Sequence, residues 1–163
     1  MEMQQKIEII RNQILNSDYP RAYEPDSNAR NCYAYALGCD FPDYDRKNNF
    51  VFNLGVLSGK DFDKDINTVI QAQRAFEADM RVLGIKCRKS YCDEKLKKNE
   101  WKVILFFRIS PWYKDFHFIR QDKDGRWSQK KGLFGSISRI DSYPEEASSY
   151  ELVGCFALKV IRL

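Results

Sequence analysis

Five consecutive apolar residues, Val103-Ile104-Leu105-Phe106-Phe107, constrain this chain more than any other stretch. They show no polar alternation, so a strand formed here must be covered on both faces. The chain therefore has to supply an apolar layer on each side of a sheet. With 163 residues, 44% hydrophobic and 14% aromatic, it has the material to do so. Pro111 closes the run, Asp115 to Gln121 reads as a second strand, and Asp122-Lys123-Asp124-Gly125 is turn chemistry. Arg126 to Lys130 returns as a third strand, and Glu151 to Ile161 forms the last. The layer-forming helices lie upstream. Ile7, Ile10 and Ile14 mark a helix from Met3 to Leu15. Asp65 is placed to cap another, ending at Leu83 before Gly84, with Ile66, Val69, Ile70, Phe76, Met80 and Leu83 as its buried stripe. Cys39 to Asp65, rich in Gly, Asn, Asp and Pro, reads as a long ordered loop with short strands. Helices first and an antiparallel meander second predict an α+β fold, and no linker or repeat divides residues 1–163, a single domain.

Composition narrows the function classes. A net charge of +4 permits an acidic partner but does not demand nucleic acid. The basic run Arg81, Lys86, Arg88, Lys89, Lys95, Lys97 and Lys98 is broken by Asp93 and Glu94, as on a solvated surface. Five cysteines without regular spacing argue against a disulfide framework and for a reducing compartment. Cys87 and Cys92 are spaced like metal ligands. A structural zinc site wants four Cys or His in pairs, however, and the chain has one histidine, so neither metal nor other cofactor is expected. Neither a secretory signal nor a membrane-length apolar segment is visible, which predicts a cytoplasmic protein, or one exported without a classical signal peptide.

The chemistry concentrates in two places. Asn31-Cys32-Tyr33-Ala34-Tyr35-Ala36-Leu37-Gly38 reads as a short helix, with Asn28 and Asn31 available as caps and Gly38 as its stop. Cys32 would stand in the first turn, where the backbone dipole favours thiolate. Cysteine is also common core filler, and taken alone Cys32 reads as that. His117, the only histidine, changes the balance. It lies twelve residues before Gln129, symmetric about Lys123 in the turn, so the two side chains should lie roughly opposite one another on one face. Gln129 could then orient the imidazole by one hydrogen bond, provided the register does not slip by one residue. Phe116 and Phe118 would take the other face, toward the core.

A helix-start cysteine, a strand histidine and a polar residue twelve positions later resemble the papain-like cysteine peptidase superfamily in its bacterial cell-wall branch, the NlpC-type endopeptidases and, more loosely, the CHAP amidases. The phrases at 31–37, 115–122 and 124–132 are similar to small bacterial proteins of that superfamily. The resemblance implies N-terminal helices packed on a C-terminal antiparallel sheet, with a Cys32–His117–Gln129 triad. It further implies a hydrolase that cleaves an amide or isopeptide bond through a thioester. Cys32 would be the nucleophile, His117 the base and later the acid, and Gln129 the group that orients the ring. The oxyanion would be met by the Cys32 backbone N–H and one side-chain donor, with Tyr23 and Asn28 as the candidates. A peptide or protein substrate follows. Peptidoglycan is disfavoured by the long insert after the cysteine helix and by the lack of an export signal or wall-binding repeat. No membrane partner is expected. The rival reading is a non-catalytic binding module on the same scaffold, using an aromatic surface around Trp112, Tyr113 and Trp127. Nucleic-acid binding carries the least support.

Overall fold

The computed structural model describes residues 2–17, 19–24, 30–39, 44–45, 50–131, 137–140 and 149–161. In chain order the helices are α1 (Met3–Leu15), α2 (Cys32–Leu37), α3 (Phe62–Asp65) and α4 (Val69–Leu83), with a 3₁₀ turn at Val56–Ser58. The strands are β1 (Tyr44–Asp45), β2 (Phe50–Val51), β3 (Ile85–Ser90), β4 (Glu100–Ile109), β5 (Lys114–Gln121), β6 (Trp127–Lys130), β7 (Ile137–Ile140) and β8 (Glu151–Val160). β1 and β2 pair only with each other. The remaining six make an antiparallel sheet in the order β3-β8-β4-β5-β6-β7. The fold is α+β, with helices against an antiparallel sheet.

The apolar run of β4 is covered on both faces. Val103, Leu105 and Phe107 join Phe116, Phe118, Phe156 and Leu158 in the main core, which also takes in buried residues of α1, α2 and α4. Ile104 and Phe106 belong to a smaller cluster on the other face with Ile119, Ile140 and Cys155. Burying a large aliphatic or aromatic side chain contributes about 1.5–3 kcal/mol, so the larger core dominates the stability. α1 packs on α4 through Ile7, Ile10 and Ile14, and Arg11 Nε donates to the Leu83 carbonyl at 3.1 Å, closing the end of α4.

Two expectations are corrected. α4 begins at Val69 rather than after Asp65. Its cap is Thr68, whose hydroxyl accepts from Gln71 N–H at 3.1 Å, whereas Asp65 accepts from Asp61 N–H at 2.7 Å and Ile66 is extended. Ile66 is buried all the same, but Ile70 is 60% exposed. The inner face of α4 carries Ala72, Ala75, Phe76, Asp79, Met80 and Leu83. Strands β3 and β7 lie in stretches that the sequence left unassigned. β3 is basic and sits at an edge of the sheet, where one side of a strand tolerates charge.

Asp79 is the polar member of that inner face. Its carboxylate accepts from Tyr33 O–H at 2.6 Å, Gly55 N–H at 2.8 Å, and Ser58 N–H and O–H at 2.9 and 2.8 Å. It thereby joins α2, the 3₁₀ turn and α4. Burial pushes its pKa up to about 6 against the pull of those four donors. Asp79→Ala should lower the unfolding free energy by about 2–4 kcal/mol in urea titrations, because buried donors lose their acceptor. Tyr33→Phe should lower it by about 1 kcal/mol. A carboxyl whose folded pKa is raised favours folding most below its unfolded pKa, and that contribution fades as pH rises through about 6. The stability advantage of wild type over Asp79→Asn should therefore shrink by about 2–3 kcal/mol between pH 4 and pH 7.

Candidate active site

α2 places Cys32 at its first helical position. Asn31 is the N-cap: its Oδ1 accepts from Ala34 N–H at 3.0 Å while its Nδ2 donates to the Phe52 carbonyl at 2.8 Å. The helix thus starts at a point anchored to the segment after β2. Gly38 ends it at φ 78°, and a Cβ there would meet Arg21 Cδ at 2.7 Å, so glycine is required twice over. All six residues of α2 are buried. Asn28 lies outside the described residues.

The helix packs on β5 and β6, the strands that carry His117 and Gln129. Tyr33, next to Cys32, stacks on Phe118, next to His117, with ring centroids 4.6 Å apart. One turn on, Tyr35 O–H and Ser128 Oγ are 2.7 Å apart, and Arg120 donates to the Tyr35 carbonyl at 2.9 Å with its guanidinium carbon 3.8 Å from the Tyr35 ring centroid. Arg120 is buried and pairs with buried Asp122 at 2.9 Å. The sequence reading missed this brace. An Arg and an Asp two apart on one strand face were its only signal.

His117 and Gln129 do meet: His117 Nε2 and Gln129 Oε1 are 2.6 Å apart. The route differs from the expected one. Arg120 pairs with Ser128 and Gln121 with Trp127, so the turn is centred on Asp124, not Lys123. Its three-residue loop closes with Asp122 N–H to Arg126 O at 2.7 Å and Gly125 at φ 84°. This offsets the strands by two residues, which keeps every side chain on its face. Gln129 consequently reaches His117 diagonally, a span that a long side chain covers.

Gln129 Oε1 can only accept, so His117 Nε2 carries the ring proton and Nδ1 of the neutral ring is the basic nitrogen. Burial holds the imidazole below its ordinary pKa, while the Gln129 bond and the nearby Asp115 carboxylate act in the opposite direction. Asp115 accepts from Tyr113 O–H at 3.1 Å and from Tyr150 O–H at 2.7 Å. It lies two positions before His117, on the same strand face, and was not singled out from sequence.

Strand alternation puts His117 beside Phe106, its partner on β4, on the face of the smaller cluster. Phe116 and Phe118 face the main core with Cys32. Tyr23 donates to the Ile137 carbonyl at 3.4 Å and lies under the Arg139 guanidinium, 4.2 Å from ring centroid to Cζ. Trp112 and Tyr113 precede β5 and are 95% and 48% exposed, whereas Trp127 pairs with Gln121 at the far end of that strand and packs against the smaller cluster. The eight residues of β5, roughly 23 Å of strand, lie between these two groups of aromatics.

None of the five cysteines forms a disulfide. Among the described residues no group of three or more His, Cys, Asp or Glu is placed to hold a metal, and no helix is long and apolar enough to cross a membrane. No family model, curated protein sequence or solved structure matches the chain.

Because the folded pKa of His117 is depressed, its contribution to stability is present above about pH 6.5 and is lost as pH falls through the folded value. Gln129→Ala removes an interaction that favours the imidazolium, so His117 should titrate at still lower pH in that variant. Imidazole chemical shifts followed by NMR read this directly, and an unchanged titration would show that the 2.6 Å bond carries no weight in solution.

Proposed function

We propose that this chain is a papain-like cysteine hydrolase that cleaves an amide or isopeptide bond of a peptide or protein through a thioester. One observation carries the reading: the 2.6 Å bond that sets the His117 tautomer. It lies one strand position from the Phe118–Tyr33 stack, which brings the neighbour of His117 against the neighbour of Cys32. In the mechanism, Nδ1 of His117 takes the Cys32 proton as the sulfur attacks the carbonyl carbon. The tetrahedral intermediate collapses, the C–N bond breaks, and the imidazolium protonates the departing amine. His117 then takes a proton from water, the hydroxide oxygen attacks the thioester, and the carboxylic product leaves with Cys32 restored. Gln129 holds Nε2–H throughout. It needs no charge for this, only an acceptor. As the first residue of α2, Cys32 lies where backbone N–H groups face out from the helix start, and its N–H would meet the oxyanion. Burial of the imidazole works against a thiolate–imidazolium pair, and the Gln129 bond works for it.

The test is selective alkylation. The mechanism needs Cys32 sulfur and His117 Nδ1 within hydrogen-bond reach, although His117 shares the face of the smaller cluster and Cys32 belongs to the main core. With iodoacetamide at pH 6, peptide mass mapping should find Cys32 modified ahead of the other four thiols. Burial raises the pKa of Cys87, to about 12, and that of Cys155 further still, which slows both. His117→Ala should remove the preference for Cys32. Equal reactivity of all five, or a Cys32 rate indifferent to His117→Ala, overturns the reading and leaves a binding module.

Once a substrate is in hand, Cys32→Ala and His117→Ala should each reduce kcat/KM by at least about 10³-fold. Gln129→Ala should cost less than the roughly 10²–10⁴-fold that a general base contributes, and Gln129→His should be mild. The melting temperature of Gln129→Ala should fall modestly, because Gln129 is buried and its loss leaves His117 Nε2–H without this acceptor. A large drop would make Gln129 a structural residue.

A further inference from the structure

The smaller cluster holds a feature that the proposed hydrolysis does not use. Cys155 of β8 lies between Ser90 of β3 and Ile104 of β4, its partners on the two sides. Cys92 follows β3 by two residues, in the turn that leads toward β4, and packs against the same cluster. Cys92 is near enough to act on the Cys155 thiol. They also line a common cleft of about 400 Å³ with Lys89, Tyr91, Leu152 and Gly154. Cys155 is 4% exposed and Cys92 is half-buried, so one sulfur is sheltered and its partner is reachable from the cleft.

The turn that presents Cys92 is held independently of the thiols. Arg88 donates to Glu94 at 2.8 Å and to Glu100 at 2.9 Å, and Ser90 O–H donates to Glu94 at 3.0 Å. The buried Lys102 ammonium donates to the Cys92 carbonyl at 3.2 Å and also to the Glu94 carbonyl. Burial raises the Cys155 pKa, and the Lys102 ammonium beside the pair acts in the opposite direction. Two thiols lining one cleft, on a hydrogen-bonded turn and a paired strand, with a cation beside them and an opening on one side, are arranged for thiol–disulfide exchange.

We propose that Cys92 and Cys155 form a reversible internal disulfide by exchange with a low-molecular-weight disulfide that enters this cleft. In the first step Cys92 loses its proton and its sulfur attacks one sulfur of the small disulfide. The S–S bond of the reagent breaks, a mixed disulfide forms on Cys92, and one small thiol leaves with a proton. In the second step Cys155 loses its proton and attacks the Cys92 sulfur, which expels the second small thiol. Two protein thiols are oxidised to one disulfide and one small disulfide is reduced to two thiols. The bridge ties the β3–β4 turn to β8.

The experiment uses oxidised glutathione on the Cys32→Ala variant of the 163-residue chain, so that the candidate nucleophile plays no part and the outcome is independent of the proposed hydrolysis. Thiols are counted after denaturation, and adducts are located by peptide mass mapping. The expected result is loss of two of the four remaining thiols, no retained glutathione, and a peptide pair joined through Cys92 and Cys155, all reversed by dithiothreitol. Cys155→Ser in the same background should stop at the first step, with one glutathione held on Cys92. Cys92→Ser should leave Cys155 unmodified, since its sulfur is buried. A wild-type-like adduct that persists on Cys92 when Cys155 is present overturns the proposal, as does oxidation that maps to Cys39 or Cys87, or no thiol loss at all. Circular dichroism of each variant confirms that it is folded before the thiols are counted.

Discussion

The structure depends on burying α2. Six residues are too few for a helix to persist by itself in water, so this one exists only because its surroundings complete it. Its polar ends would be costly inside a core if left bare. Trp101 Nε1 donates to the Ala36 carbonyl at 3.1 Å, Tyr19 O–H to Leu37 at 3.0 Å, Arg21 to Gly38 at 2.8 Å and Arg120 to Tyr35 at 2.9 Å. These donors come from three parts of the chain: the segment after α1, β4 and β5. Asn31 closes the other end, and Tyr33 runs through the core to Asp79. A residue at the first position of such a helix is located by the whole fold.

That location gives the two faces of the sheet different work. The face under the helices is a store of apolar contact: Phe116 and Phe118 engage Tyr33, Phe62 and Phe76. The opposite face has a smaller apolar cluster and carries the polar chemistry, with His117 bonded to Gln129, Asp115 held by two tyrosines, and Cys155 sharing a cleft with Cys92. Low dielectric acts on all of these groups. It holds His117 toward neutrality and raises the Cys155 pKa, so both react only through a specific partner.

Local pattern made several parts legible. α1 spans the stretch that its isoleucine spacing predicted, and Gly38 stops α2 where a left-handed residue was needed. Asn31, rather than a more distant residue, proved to be the cap because its side chain is one turn from Ala34 N–H. The start of α4 was misread because Asp65 has two uses for a carboxylate, and its bond to Asp61 N–H competes with capping. The hairpin pairing differs from the expected one by two residues, since a turn centred on Lys123 and one centred on Asp124 suit the same turn sequence. The His117–Gln129 contact survived that error only because an even shift keeps the face.

By itself the sequence determined which side chains share a face, where helices end, and that β4 must be covered twice. These follow from periods of 2 and 3.6 and from the φ preference of glycine, all properties of neighbouring residues. Tertiary structure alone decided that Asp79 anchors Tyr33, that Arg120 braces Tyr35, and that Cys92 shares a cleft with Cys155. The partners in these contacts are 46, 85 and 63 positions apart. Only the closing of the sheet around α2 brings such distant groups together, and burial then makes each polar contact necessary.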